Sequence, residues 1–521
     1  MSPIITMIKL INYKRFTNYT IEPNRRINVF VGDNEVGKST VLEAIDIVAN
    51  GSVRRVEAIG IEKLINKEAI LQFNSGIRNF DNLPKLTVEI YLEGSFDHTM
   101  NGRNNTLNKI CDGLRLVCEP NNDFLSEITE SLIANLDYFP YDYYSIRFST
   151  FADEGYSGYR KKIKSILIDS TSMSSEFATN DFIKRMYNQY TEDDVKERAV
   201  HKSEYRQFKS SFSTNSLRLL NDRIPANKNY KFGLRAGLSL SLENDLMIYE
   251  DEIGIDSKGT GKQVFIKTDF AMERSGENVD IILIEEPENH LSHVNLRKLI
   301  KRVSETRDGQ LFITTHNSLI STRLEMKNLL IMHSGSSDMP TSLKRLNDET
   351  AKYFMKAPVA NVIEFALSNK IILVEGPSEY LLFEKFYEDI TDRKPEDDNV
   401  QIMDVRGLSF KRYLEVANLL GSKVAVVTDN DGDYQKNCKM KYQEYDGNTK
   451  IRVFCEENVL LNTFEKTIHS LNQDLCRSIF KENAENYMLS NKTESAFELL
   501  SQGSSIEIPD YIKDAIKWIS E

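Results

Sequence analysis

The chain is 521 residues long, which is too much sequence for one hydrophobic core and predicts two or three domains. Hydrophobic residues make up 40% and charged residues 28%, a balance typical of folded globular proteins and not of disordered chains. The formal net charge of −12 argues against a generally basic nucleic-acid-binding protein, although metal sites consume carboxylates and DNA needs only a local basic surface.

Three further features narrow the class of protein. No apolar run approaches the ~20 residues that a transmembrane helix needs, so we expect no membrane partner. Residues 1–16 alternate apolar and polar side chains and carry charge early, which indicates a strand and not a signal peptide. The cysteines are odd in number and scattered, which argues against a disulfide framework or a zinc site and favours a reducing cytoplasm. They are Cys111, Cys118, Cys438, Cys455 and Cys476.

The amino-terminal region has the pattern of a nucleotide-binding unit. Residues 4–31 predict two strands, and a helix is predicted through Thr40–Ile45. Between them, Gly32–Ser39 fits GxxxxGK[ST], in which backbone N–H groups hold phosphates, the lysine reaches the β- and γ-phosphates and the serine binds Mg²⁺. The sequence therefore predicts an ATP site. The expected contacts come from Gly32, Asn34, Gly37, Lys38, Ser39 and Thr40.

The middle of the chain changes character. Leu86–Leu92 alternates like a strand, whereas residues 120–230 are richer in Tyr, Ser and Lys and show helical spacing around Phe182–Tyr190. We interpret 120–230 as a helical insertion. Residues 232–255 predict short antiparallel strands, after which the short apolar strands Val279–Ile284 and Leu311–Thr314 indicate a return to a buried sheet.

The strand Val279–Ile284 delivers two carboxylates at its C-terminal end, where α/β sheets bind their ligands. Glu285 is positioned to bind Mg²⁺ and Glu286 to polarise the attacking water. Together with the phosphate loop, this pair makes the region resemble an ABC-type ATPase of the SMC-like branch.

The resemblance implies two further elements. A switch histidine is expected after the next strand, and here Thr314–His316 follows Leu311–Ile313, with His316 as the candidate. A Gly-rich signature turn is expected before the carboxylate strand, and Ser257–Gln263 matches with Gly259 and Gly261, although it departs from LSGGQ. In the family this turn caps the γ-phosphate that a second subunit binds, which implies a homodimer or a higher homo-oligomer.

Two local features admit alternatives. Gln72 is a candidate for the Q-loop glutamine of this family, and a plain surface glutamine is the other interpretation. His290 and His293 have the i, i+3 spacing of zinc ligands, but no cysteine or third histidine lies close in sequence, which favours a structural or D-loop role.

A second α/β pattern begins near residue 369, with a strand at Ile371–Val374, helices at 378–387 and 410–420, and a strand at Val424–Val427. Carboxylates follow both strands, and such crowded like charges require cations of the hard, oxygen-liganded kind such as Mg²⁺ or Mn²⁺. An EF-hand does not fit, because the glycine stands at loop position 4 and position 12 is methionine. The carboxylates are Glu375, Glu379, Asp429, Asp431 and Asp433.

A strand-end glutamate followed by DxD after a later strand resembles the Toprim domain. The segments around Thr463–Glu465 and Lys492–Phe497 are similar to those that follow DxD in the OLD (overcoming lysogenisation defect) family, and the order ATPase then Toprim matches that family. The resemblance implies two metal ions held by Glu375, Asp429, Asp431 and Glu465, with Glu379 and Asp433 as second choices. It also implies that Lys492 stabilises the charged phosphate. Lys436, Lys439 and Lys441 are candidates for contacts with the DNA backbone, or a basic surface loop.

The predicted fold class is α/β. An ABC/SMC-like ATPase domain (1–119 and 231–345) carries the 120–230 insertion, which the family uses for dimerisation, and precedes a Toprim domain (346–521). The implied function is an ATP-regulated DNA endonuclease in anti-phage defence, with a helicase, or a reverse transcriptase with its RNA, as a conceivable partner. The alternative is an SMC-like DNA-binding ATPase whose Toprim domain does not cut. A topoisomerase or primase would need signatures that the sequence lacks.

Overall fold

The computed structural model describes residues 3–521 apart from a set of short gaps. The chain folds into two compact units: Met1–Phe30, Gly37–Thr315 and Ser336–Met339 form the first, and Val31–Val36, His316–Gly335 and Pro340–Glu521 form the second. The gaps are 95–96, 135–138, 159–161, 170–175, 192–193, 226–229, 235–241, 260, 264, 267–279, 290–291, 293, 299–300, 302–308, 334–338, 358–360, 407–408 and 504.

The first unit contains an antiparallel sheet of order β2-β1-β4-β6-β5, with β7 paired to β6. Side chains in these strands face alternate sides, and the buried ones, such as Ile8 and Leu10 of the first strand, are apolar. The first hairpin turns tightly, because Tyr13 pairs directly with Phe16. The bounds are β1 Ile4–Tyr13, β2 Phe16–Ile21, β4 Leu86–Glu93, β5 Asn101–Gly102, β6 Cys111–Pro120 and β7 Tyr144–Thr150.

A second sheet of the first unit is parallel where it carries the predicted carboxylates. Its strands are β3 (Ile27–Val31), β8 (Ser165–Asp169), β11 (Ile281–Glu285) and β12 (Gln310–Thr315), and β11 lies between β8 and β12, parallel to both. These strands are almost entirely buried, as continuous apolar runs in parallel sheets are. Helix α1 (Lys38–Asn50) packs against β8, β11 and β12.

Residues 120–230 are mainly helical, but they also contribute β7 and β8 to the two sheets. Neither strand is indicated by the sequence pattern, whereas the predicted antiparallel strands appear as the hairpin β9 (Tyr249–Glu250) and β10 (Ile253–Gly254). Further helices of the first unit are α2 Val53–Ile59, α3 Ile61–Leu64, α4 Lys67–Ser75, α5 Leu125–Ala134, α6 Glu176–Tyr190, α7 Val195–Ser211, α8 Arg218–Asn221 and α9 Leu242–Asp245.

The second unit is built on a four-stranded parallel sheet of order β16-β15-β17-β18. The predicted strands are β15 (Lys370–Val374) and β17 (Lys423–Val427), and the flanking strands are β16 (Val400–Asp404) and β18 (Ile451–Phe454). Helix α13 (Pro377–Thr391) covers one face through Phe383 and Phe386, in a core shared with Ile516 of the last helix. A small antiparallel pair, β13 (Leu329–Ile331) and β14 (Thr341–Ser342), precedes this sheet.

The other helices of this unit surround the sheet. They are α10 Ser318–Arg323, α11 Asp348–Lys356, α12 Val362–Leu367, α14 Phe410–Leu420, α15 Phe464–Leu471, α16 Gln473–Phe480, α17 Ala484–Ser490, α18 Lys492–Ser501 and α19 Asp510–Ser520. In the residues described, no helix combines the length and the apolar character needed to cross a membrane.

The cysteines differ from expectation in one respect. The structure pairs Cys438 with Cys455 as a disulfide that links the segment after β17 to the end of β18. The sequence argued against a disulfide framework, and the structure contains this single pair, 17 residues apart in sequence, because the segment after β17 lies near the end of the neighbouring strand β18. Cys111, Cys118 and Cys476 are free.

Candidate active sites

The phosphate-loop motif leads directly from β3 into α1, the arrangement that the motif requires. Gly37 has φ +101°, and a Cβ there would lie 2.5 Å from the Phe16 ring, so only glycine fits. A Cβ on Gly32 would lie 2.5 Å from the carbonyl oxygen of Met332. Lys38 begins the helix and is 5% exposed. Of the other predicted contacts, Asn34 and Ser39 are exposed and Thr40 is half-buried.

The two predicted ATPase carboxylates lie at the C-terminal end of β11. Glu286 has a left-handed backbone, with φ 39°, and its N–H donates to the carbonyl oxygen of Thr314 at 3.0 Å. Its carboxylate accepts a hydrogen bond from Asn289 Nδ2 at 2.8 Å, whereas the neighbouring Glu288 accepts one from Thr315 Oγ1 at 2.6 Å. The sheet edge therefore presents Glu285 and Glu286 together beside the end of β12.

The other ATPase candidates occupy separate places. His316 follows β12 and is exposed, and Gln72 is exposed on α4. The signature turn is held by Gln263, whose Nε2 donates to the carbonyl oxygen of Lys258 at 2.8 Å. A Cβ on Gly259 would meet nothing within 4 Å. Gly261 is half-buried beside it, whereas His290 and His293 lie outside the described residues.

In the second unit, two adjacent parallel strands bring Glu375 and Asp429 together. Glu375 follows β15 and accepts hydrogen bonds from Thr428 Oγ1 at 2.6 Å and from the N–H of Asp429 at 3.0 Å. Because β15 and β17 pair in parallel, their C-terminal ends meet at one edge of the sheet. The hydrogen bonds then fix the orientation of the Glu375 carboxylate at that edge.

Two more carboxylates and a lysine join this site from the surrounding helices. Glu379 on α13 and Glu465 on α15 are 6% and 2% exposed, and Ser378 Oγ lies 3.1 Å from one and 3.4 Å from the other. Lys492 Nζ at the start of α18 lies 3.0 Å from Glu465 Oε2, an atom that is buried and accepts no well-formed hydrogen bond among the described residues. The carboxylates thus face one partly buried ammonium.

The crowding changes the titration of these groups. Burial, and then the charges of Glu375, Glu379 and Glu465, raise the pKa of Asp429 to about 8 against the opposing effect of Lys492. Burial and the same neighbours also raise the pKa of Glu379. Partial burial works to lower the pKa of Lys492, but its ion pair with Glu465 outweighs this and raises it. We call Glu375, Glu379, Asp429 and Glu465 the carboxylate cluster.

The remaining two aspartates of the DxDxD segment lie differently. Asp431 is exposed with φ 48°, and its N–H donates to the carbonyl oxygen of Asn462 at 3.2 Å. Asp433 is exposed, and its Oδ1 accepts from the N–H of Lys436 at 3.0 Å, as a helix cap does. Lys436, Lys439 and Lys441 are exposed on the segment that follows.

Several residues at this site carry no signal in the sequence. Thr428, Ser378 and Asn430 hold the acidic groups in place, and Asn430 is 1% exposed with its Nδ2 donating to the carbonyl oxygen of Glu456 at 2.8 Å. Their side chains are common ones in ordinary turns. Only Thr428 and Asn430, which flank Asp429, stand where the motif itself directs attention.

The cluster is suited to hard divalent cations, although it is not a finished coordination shell. Among the residues described, no group of three or more His, Cys, Asp and Glu side chains is arranged to hold a metal ion as it stands. The donor set nevertheless consists of carboxylate oxygens, which Mg²⁺ and Mn²⁺ prefer. Among the described residues, the four carboxylates of the cluster outnumber the ammonium of Lys492, which lies 3.0 Å from Glu465 Oε2.

Two family models match the chain. A model described as AAA ATPase domain matches residues 4–320, which is more than half of the chain. A model described as Overcoming lysogenization defect protein-like, TOPRIM domain, matches residues 367–431, the stretch from the end of α12 through the acidic turn. The predicted α/β fold class, with an ATPase domain followed by a Toprim domain, is confirmed.

Individual proteins match over shorter stretches. The endonuclease GajA of Bacillus cereus (strain VD045) is 28% identical over 192 residues, 36% of this chain and 33% of GajA. The DNA replication and repair protein RecF of Clostridium kluyveri is 32% identical over 93 residues, 17% of this chain and 24% of that RecF. The chain therefore spans about a third or less of the curated relatives that it matches.

Solved structures match the larger part of the chain at low similarity. An SMC head domain from Thermotoga maritima has a TM-score of 0.27 at 11% identity, covering 65% of this chain and 97% of the head domain. A structure of the recombination mediator protein RecF has a TM-score of 0.34 at 11% identity, covering 66% of this chain and 98% of RecF.

Proposed function

The chain belongs to the AAA ATPase domain family and carries an OLD-like Toprim domain, and on this premise we propose that it is an ATP-hydrolysing, divalent-metal-dependent DNA endonuclease. The observation that carries the proposal is the carboxylate cluster with Lys492, assembled from β15, β17 and two helices at the C-terminal edge of a parallel sheet. The endonuclease GajA is a relative of this chain, which supports DNA cleavage as the reaction.

The Toprim residues have different roles in the proposed hydrolysis of a phosphodiester. Divalent cations, Mg²⁺ or Mn²⁺ and two in number, would activate water and stabilise the leaving 3′ oxygen when bound. Glu375, Asp429 and Glu465 are the ligands that we propose for them, with Glu379 next to these and Asp431 reaching the site from the turn. Lys492 places a positive charge beside the carboxylates, where it is able to stabilise the additional negative charge of the phosphate in the transition state.

The ATPase residues act on the other substrate, ATP, whose phosphoanhydride bond is hydrolysed. Lys38, at the N-terminus of α1, would contact the β- and γ-phosphates, and Ser39 and Glu285 would hold the Mg²⁺ that accompanies ATP. Glu286 accepts a proton from the attacking water, and His316 contacts the γ-phosphate. Gly259 and Gly261 face the γ-phosphate bound by a second subunit, so that hydrolysis requires a homodimer or a larger homo-oligomer.

One experiment tests both activities together. Supercoiled and linear DNA are incubated with Mg²⁺ or Mn²⁺, with and without ATP, and with the parent protein, Glu375→Gln and Glu286→Gln. We expect metal-dependent cutting by the parent that Glu375→Gln loses, and ATP hydrolysis that only Glu286→Gln loses. No cutting under any of these conditions would overturn the endonuclease proposal.

The same experiment addresses a second candidate function, an SMC-like DNA-binding ATPase whose Toprim domain does not cut. The ion pair between Lys492 and Glu465 favours it, because a lysine already supplies charge where a cation would bind. ATP-dependent DNA binding without cutting in either metal would establish this second function.

We also propose a biological role in anti-phage defence in the cytoplasm, together with a second defence protein such as a helicase or a reverse transcriptase with its RNA. The match to the Overcoming lysogenization defect-like Toprim model supports it. Phage plating on bacteria that express the parent or Glu375→Gln is the test. Equal plating on both strains would contradict a role for cleavage in defence.

A further inference from the structure

A cavity of about 540 Å³ lies beside the carboxylate cluster in the second unit. Tyr434 and Tyr511 line it, together with Glu456 at the end of β18. The backbone carbonyl oxygen of Glu456 accepts a hydrogen bond at 2.8 Å from Nδ2 of Asn430, the residue that follows Asp429 of the cluster. The cavity and the proposed cleavage site are therefore neighbours.

A short loop connects two residues that line the cavity, Glu457 and Leu461. Within this loop Val459 and Leu460 are 48% and 79% exposed. Single exposed apolar side chains are ordinary on protein surfaces, so it is the place of these two beside the cavity lining that distinguishes them. The loop therefore presents a small apolar edge next to the cavity mouth.

This loop is fixed to the acidic turn by hydrogen bonds. Asn430, between two of the predicted metal ligands, donates through Nδ2 to the carbonyl oxygens of Glu456 at 2.8 Å and Asn458 at 3.1 Å. Asn458 Oδ1 accepts from the N–H of Leu460 at 3.1 Å, and the N–H of Asp431 donates to the loop at Asn462. The apolar edge thus keeps a defined position relative to the carboxylate cluster.

The charges of the cavity identify the class of ligand that it accepts. Five carboxylates and three cationic side chains line it, so a phosphate or another anion is disfavoured. Tyrosine rings and hydrogen-bond acceptors suit a neutral aromatic group with N–H donors, which describes a nucleobase. The volume falls within the ~300–1,000 Å³ of small-molecule pockets and is too small for a base pair with its backbones.

We propose that this cavity binds one unpaired nucleobase of the DNA beside the cleavage position, while Val459 and Leu460 fill the gap left in the base stack. Proteins that kink DNA insert aliphatic side chains between base steps in this way. The proposal rests on the proposed function, because it requires DNA at the carboxylate cluster. It adds a preference for DNA that opens easily, such as single strands, gaps and mismatches.

Binding to DNA that carries one 2-aminopurine, moved position by position along mismatched duplexes, tests the proposal. Ca²⁺ replaces Mg²⁺ so that the DNA is held without being cut. We expect a rise in fluorescence at one position with the parent, since unstacking relieves quenching. Tyr434→Ala and Leu460→Ser should remove the rise and weaken binding about tenfold, given that stacking contributes ~1–3 kcal/mol per base.

Two controls make the result specific. Tyr434→Phe keeps the aromatic ring and should keep the signal, and Phe497→Ser removes a side chain that is 56% exposed on α18 and does not line the cavity. DNA that is bound, and is cut with Mg²⁺, but shows no rise at any position would overturn the base-binding inference and leave the proposed function standing. Failure of the parent to bind or cut any DNA would overturn both.

Discussion

The ammonium nitrogen of Lys492 lies 3.0 Å from a carboxylate oxygen of Glu465, whose side chain is 2% exposed. A buried carboxylate is costly unless a positive charge compensates it, so the lysine has a role in stability as well as a proposed role in catalysis. Since Lys492 is about half exposed, it is also able to move toward a phosphate at the mouth of the site. This dual position leads to a first prediction.

Lys492→Ala should lower DNA cleavage by about 100-fold or more, the usual effect of losing one group that stabilises transition-state charge. In EDTA the variant should melt at a lower temperature than the parent, because Glu465 is left buried without its cation. Added Mg²⁺ should recover much of that loss, since a bound ion supplies the missing charge. Cleavage rates and thermal melts with EDTA or Mg²⁺ measure these effects.

Lys517→Ala is the matched control, since this lysine is exposed on α19. It should change neither cleavage nor the melting temperature. If Mg²⁺ stabilises the parent and Lys492→Ala equally, the lysine does not substitute for a metal charge at this site.

Asp429→Asn should stabilise the metal-free protein, and the gain should depend on pH. The pKa of Asp429 is raised to about 8 in the folded protein, whereas the unfolded chain releases this proton near pH 4. Between these values the folded state retains a proton that the unfolded state has lost, so the parent loses stability as pH rises. The advantage of the asparagine variant should therefore be small near pH 4, grow up to about pH 8 and then level off. Chemical denaturation in EDTA at pH 5 and pH 8 checks this; an advantage that is larger at pH 5 would contradict it.

Glu375→Gln and Asp431→Asn should both abolish DNA cleavage while ATP hydrolysis continues. Glutamine keeps an oxygen for the hydrogen bonds from Thr428 and Asp429, whereas alanine would lose both at a cost of roughly 1 kcal/mol each. Asparagine tolerates the left-handed backbone of Asp431.

Asp433→Asn is the matched control, because the Asp433 carboxylate caps the backbone N–H of Lys436 and should be dispensable for cutting. Cleavage assays and ATPase assays on the same preparations decide the matter, and undiminished cutting by Asp431→Asn would remove that residue from the site.

Part of the acidic site follows from the order and direction of two strands. Glu375 and Asp429 follow neighbouring buried strands, and parallel pairing of β15 and β17 is sufficient to bring them together. The direction of the turn after β17 was not predictable, because it depends on the positive φ of Asp431 and on bonds to a loop 30 residues further on. The three aspartates of this segment therefore differ in exposure: Asp429 is half-buried beside Glu375, whereas Asp431 and Asp433 are exposed.

Short strands and long-range pairings are also not predictable from sequence patterns. Strand β18 has only four residues and a mixed burial pattern, so its periodicity is too weak to recognise. The pairing of Cys438 with Cys455 depends on the same strand, since β18 carries Cys455 to the edge beside β17. The conformation of the acidic turn and the pairing of Cys438 with Cys455 thus both depend on where the tertiary fold places the edge strand β18.

Glu286→Gln should bind ATP normally and hydrolyse it at least about 100-fold more slowly, since the amide does not accept the proton of the attacking water. The backbone N–H bond of Glu286 to Thr314 does not involve the side chain, so the fold should be unaffected. Glu288→Gln is the control, because Glu288 is occupied by a hydrogen bond from Thr315. Nucleotide binding and steady-state ATPase rates are the measurements; slow hydrolysis in Glu288→Gln but not in Glu286→Gln would reverse the assignment.

Gly259→Leu distinguishes a turn that acts on a second subunit from one that acts within its own. A Cβ on Gly259 meets nothing within 4 Å, and the glycine is exposed, so a larger side chain should leave the fold and ATP binding of a single subunit intact. If the turn must approach the γ-phosphate of a partner, the leucine blocks that approach and ATP hydrolysis should fall to background. Gly37→Ala provides the contrast, because its φ of +101° and the close Phe16 ring predict loss of ATP binding within the same subunit. Nucleotide binding and ATPase rates are measured for both glycine variants. Each glycine substitution is also combined with Glu286→Gln, and the molar mass of the doubly substituted protein is measured with ATP. Normal hydrolysis by Gly259→Leu would show that this turn has no part in a shared ATP site.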